Sequence, residues 1–122
     1  MKLTGWILLV VIVIAVVAGF VWTSQRPAVK FTTPYQAVLL TNGSVYYGKI
    51  EGLGEPYPIL RDVFYIQTAV DQNTKQTNNV LIRRGKEWHG PDYMVLNAHH
   101  ILLVEPVTAG SRVAQLIAAA PK

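Results

Sequence analysis

The side chains best suited to chemistry in this chain are its three histidines, His89, His99 and His100, and the hydroxyls of Ser44 and Ser111. A zinc or copper site wants three or four convergent ligands, and the step from His89 to His99 matches no recognised metal spacing. Adjacent strand residues point to opposite faces, so His99 and His100 could share an ion only from the turn before a strand. Ser44 falls in a hairpin turn and Ser111 just ahead of an apolar run, positions that backbone needs explain. No G-x-S-x-G elbow, glycine-rich phosphate loop or close carboxylate pair occurs. The sequence has no cysteine, which removes thiolate catalysis, disulfides and cysteine-ligated zinc. The expectation is a protein that is not an enzyme and carries no metal or cofactor.

The aromatic side chains say more. Tyr46 and Tyr47 are neighbours on one expected strand, and Phe64 and Tyr65 on the next, so large rings fall on both faces of the same sheet. One face can fill a core. The other must meet a helix, a partner or a second copy, because tyrosine-rich patches on a near-neutral domain suit protein interfaces. Tyr46, Tyr47, Phe64, Tyr65 and Trp88 are therefore the expected partner-packing or helix-packing residues. The alternative is a small-ligand or metal-binding barrel at a membrane surface, rimmed by Trp88-His89-Gly90-Pro91-Asp92.

The elements that must position these side chains read as mainly β. Tyr35 to Leu40 and Val45 to Ile50 have strand composition and flank Asn42-Gly43, the pair that best tolerates the positive φ of a tight hairpin turn. Gly48, in the middle of the second strand, marks a bend or a close backbone approach. Further strands are expected at Ile59 to Gln67, Asn79 to Arg83, Tyr93 to Leu96 and His100 to Glu105, with the polar run Asp71 to Asn78 as a loop tip. Ser111 is placed to cap a short helix whose residues Val113, Leu116, Ile117 and Ala120 form one apolar face. That face would cover one end or side of the β-domain, or dock on a partner.

Asn42-Gly43-Ser44-Val45-Tyr46-Tyr47-Gly48-Lys49-Ile50, followed by Pro58-Ile59-Leu60-Arg61-Asp62-Val63, resembles the first motif of Sm-like proteins, and Val80 to Gly85 faintly resembles the second. The resemblance implies a small, strongly bent SH3-like or Sm-like β-barrel of five or six strands. It does not carry over RNA contact, since Pro58 stands where the family's RNA-contacting asparagine would be. The layout as a whole resembles small uncharacterised bacterial proteins in which one membrane span carries a short β-domain. That likeness implies no activity.

Leu3 to Trp22 is 20 residues without a charge, which as a helix matches a hydrocarbon core of about 30 Å. Trp6 and Trp22 stand near its ends, where indoles favour the membrane interface, and Lys2 and Arg26 bracket it. Trp6, Trp22 and Arg26 are thus the expected interface residues, although Val16-Val17-Ala18 also offers a signal peptidase its small residues. The expected division is an anchor at 1–23, a tether at 24–34, the β-barrel at 35–107 and a helical tail at 108–122. A five-residue amino terminus before the apolar core favours a cell-membrane anchor with the domain periplasmic or extracellular.

The net charge of +4 is placed informatively. Between residues 31 and 107, Lys49, Arg61, Lys75, Arg83, Arg84 and Lys86 are outnumbered by one acid, so the excess lies in Lys2, Arg26, Lys30, Arg112 and Lys122. That pattern belongs to membrane flanks, not to a nucleic-acid footprint. The expected partners are the lipid bilayer and a protein or second copy, with no nucleic acid. The expected function is an accessory or scaffold subunit of a membrane or envelope complex.

Overall fold

The computed structural model describes residues 2–24 and 29–122. Helix α1 (Lys2–Ser24) carries no charge after Lys2, has no buried residue, and is long and apolar enough to cross a membrane. Helix α1 is followed by six strands, β1 (Gln36–Leu40), β2 (Val45–Glu51), β3 (Ile59–Val70), β4 (Thr77–Arg83), β5 (Tyr93–Val95) and β6 (Ile101–Pro106). A single 3₁₀ turn, Ala98–His100, precedes β6, and helix α2 (Arg112–Ala119) closes the described chain. His100 therefore belongs to that turn and not to the last strand.

All six strands join one antiparallel sheet in the order β4-β3-β2-β1-β6, with β5 also paired to β3. The expected barrel is not what forms, because the sheet does not close. The reason is visible in β5, which is three residues long. Beyond it, Leu96 N–H donates to Pro58 O at 2.9 Å and Ala98 N–H to Pro56 O at 3.0 Å, so the chain stays on the β3 side and no ladder joins β5 or β4 to β6.

The open sheet still wraps one core. Val38, Leu60, Val63 and Leu96 are buried together, and Met94 from β5, Ile101 and Val104 from the β6 side, and Tyr46 and Ile50 from β2 pack against them. Gln36 is the buried polar residue here, and both ends of its amide are used. Its Nε2 donates to Thr33 O at 2.7 Å and its Oε1 accepts from Ile50 N–H at 3.0 Å, tying the start of β1 to β2.

Gly48 creates the bend. A Cβ there would stand 2.7 Å from Arg61 O and 2.8 Å from Leu60 Cγ, so β2 and β3 approach this closely only around a glycine. Opposite it, the register slips by one between Tyr47↔Phe64 and Lys49↔Arg61, and the extra residue, Asp62, takes φ 49°. This is a β-bulge, which turns the strand and puts Leu60 and Val63 on the same side of the sheet. The α2 helix is capped as its sequence implies, with Ser111 Oγ accepting from Ala114 N–H at 3.1 Å.

Candidate interaction surface

Because Tyr47 pairs with Phe64, Tyr46 stands opposite Tyr65, and each pair occupies its own face of the sheet. Tyr46 and Tyr65 meet edge to face with centroids 6.5 Å apart, at the margin of the core. Phe64 is fully buried on the other face. Its ring meets Tyr35 edge-on at 6.1 Å and lies 4.5 Å below the Arg83 guanidinium. Helix α2 lies on this side, where Ala114, Ile117 and Ala118 line one cavity with Tyr35, Arg83 and Val107. Phe64 is thus used inside the domain, while the three tyrosines are half-buried.

Val45, Tyr46, Tyr47, Tyr65 and Ile66 line an open groove of about 400 Å³ beside the Gly43-Ser44 turn. This groove lies at the root of a two-stranded ribbon. From Ile66 to Val70, β3 is paired with β4 alone, Ile66 opposite Leu81 and Val70 opposite Thr77, since β2 has already turned away. Ile66, Val70 and Val80 are all exposed there, on a ribbon with no second layer. Sequence reasoning singled out the tyrosines and not these three aliphatics. β3 runs on to Val70, beyond the Gln67 at which the strand was expected to end, and β4 begins at Thr77, inside the expected loop tip, because the two pair with each other out to the turn.

The remaining sites are dispersed. Trp88 is fully solvent-exposed and takes no part in packing α2. Pro91 and Asp92 of its turn line a cleft of about 210 Å³ with Asp62, Arg83, Arg84 and Tyr93, but Trp88 and His89 stand outside it. Of the basic run, Arg83 covers Phe64, and Arg84 reaches over the Tyr46 ring at 5.8 Å and pairs with Glu87 at 3.2 Å. Lys86 is left as the exposed cation of the turn. Gly85 N–H donates to the Glu87 carboxylate at 2.8 Å, which is the main reason that this carboxyl lies below its ordinary value.

At the bulge, Lys49 pairs with Asp62 at 3.1 Å, and this hydrogen bond, assisted by Tyr35, holds the ammonium above its usual value. His99 and His100 are exposed, with His100 Nδ1 3.2 Å from Thr41 Oγ1. No group of three metal-ligating side chains forms among the described residues. Trp6 and Trp22 are exposed near the two ends of α1, whereas Arg26 lies outside the described residues. Neither a protein-family model nor a curated protein matches the chain.

Proposed function

We propose that this chain is a non-enzymatic, single-pass membrane protein whose β-domain serves as an accessory or scaffold subunit of a membrane or envelope complex. In this reading α1 is the anchor and the domain faces the periplasm or the cell exterior. The observation that carries it is the tyrosine groove with its ribbon. Half-buried tyrosines flanked by the exposed Val45 and Ile66 on a near-neutral domain offer the aromatic anchor and apolar margin that protein partners use. Such a surface suits a protein or a second copy better than a nucleic acid, which needs a basic field.

The test combines sidedness and capture. A carboxy-terminal tag is probed by protease in intact cells or spheroplasts, and partners are purified in mild detergent with and without the pair Tyr47→Ser and Ile66→Ser. The expected outcome is an outside tag and a stoichiometric partner that the double variant loses. A cytoplasmic tag, or a partner that the variant retains, overturns the proposal.

A further inference from the structure

The turn that carries Trp88 interrupts a continuous strand edge. Arg84 N–H donates to Val63 O at 2.8 Å, and two residues earlier along β3 the next pairing is Arg61↔Tyr93. Residues 85–92 are therefore an excursion thrown out sideways between β4 and β5, both of which lie along the same edge of β3. Gly85 and Gly90, at φ 130° and 52°, provide the backbone for it. At its outer part Trp88 is more exposed, at 107%, than any other large apolar side chain in the domain. An isolated, fully wetted indole in a built turn has no internal purpose.

The register says where this turn emerges. Gln36 pairs with Gly48, and Gly48 lies at the bulge opposite Asp62 and Val63. Gln36, Gly48, Val63 and Arg84 thus form one row across the sheet, three strand spacings or about 15 Å wide. The chain from α1 enters the domain at the first member of that row, and the Trp88 turn leaves from the last. The chain between Ser24 and Gln36, even fully extended, reaches no further than about 40 Å.

Of the two acids of the turn, Glu87 is engaged by Arg84 and by Gly85 N–H, while Asp92 is exposed at the cleft at the base of the turn, away from the indole in sequence. That leaves Lys86 as the exposed cation two residues from the indole. An indole beside an ammonium is the pairing that settles at the headgroup level of a bilayer.

We propose that the turn Gly85 to Asp92 is a second membrane contact, in which Trp88 lies among the headgroups of the bilayer crossed by α1 and Lys86 meets anionic lipid. The contact rests on the anchor reading above. It holds the domain against the membrane surface on the row by which its chain enters, leaving the ribbon as the part that reaches away from that row.

Fluorescence of the full chain, reconstituted in vesicles of phosphatidylcholine and phosphatidylglycerol, tests this, because the protein has three tryptophans. The pair Trp6→Phe and Trp22→Phe leaves Trp88 as the sole reporter, and the pair Trp6→Phe and Trp88→Phe leaves Trp22. The expected result is a blue-shifted Trp88 emission quenched by lipids brominated near the headgroup and shielded from aqueous acrylamide, with the lipid quenching reduced by Lys86→Glu. If Trp22 is quenched by brominated lipid while Trp88 is not, the turn contact is overturned and the anchor stands. A blue shift without lipid quenching overturns it as well, in favour of a protein on the indole. If neither tryptophan is quenched, the anchor fails and the contact with it.

Discussion

The two halves of β3 are one strand under opposite conditions. From Ile59 to Tyr65 it is flanked by β2 on one edge and by β5 and then β4 on the other, and it supplies Leu60, Val63 and Phe64, all buried. From Ile66 to Val70 it has β4 as its partner, and every residue is exposed. Strand propensity is high in both halves. The difference shows that propensity makes a strand, whereas neighbours on both edges and a covered face make a core. An isolated two-stranded ribbon is marginal in water, so the outer half depends on the inner half to hold its register. It follows that the inner half sets stability and that the outer half contributes little to it.

The strongest challenge to this contrast is Leu60→Ala. It empties the centre of the core and is expected to cost about 2–5 kcal/mol, measured by denaturant unfolding of the detergent-solubilised chain. A loss no larger than that of a surface change would break the contrast at once. Next is Gly48→Ala, whose added methyl meets Arg61 O and Leu60. Here a destabilisation of about 1–3 kcal/mol is expected from the forced separation of β2 and β3, and unchanged stability would show that the close approach is dispensable. The smallest effect belongs to the ribbon. Val70→Ser and Val80→Ser should each change stability by no more than about 0.5 kcal/mol, and amides 66–70 should exchange faster than those of 60–64. Equal protection in both halves would mean that the ribbon is covered.

The positions of the strands were legible because their punctuation is local. Asn42-Gly43, the proline-bearing stretch before Ile59, the polar tip after Val70 and Pro106 each act within a few residues, and so does the Ser111 cap of α2. The tyrosines were legible as a pair of faces for the same reason, since alternation is a property of the strand alone. The inward turn of Arg83 and Arg84 was not. Two adjacent arginines at a strand end carry no local sign of burial, and their capture by Phe64, Tyr46 and Glu87 depends on rings and an acid that reach them through strand register and a turn. Nor was the ribbon legible, because nothing local to Ile66 or Val80 states that β2 has already ended beside them.

By itself the sequence determined an apolar amino-terminal helix long enough to cross a membrane, a β-region of five or six strands in their order and without excess positive charge, and a capped carboxy-terminal helix. These follow from side-chain period, turn sterics and composition, all short-range. The tertiary structure decided that the sheet stays open, that Gly48 and the Asp62 bulge meet at one bend, that Phe64 lies inside while Trp88 stands fully in solvent, and that one end of β3 is left bare. Those outcomes turn on which backbone groups of distant segments find each other. The pairing of Leu96 and Ala98 with the Pro56 to Pro58 loop is the clearest case: two hydrogen bonds across some 40 residues decide where the chain runs between β5 and β6.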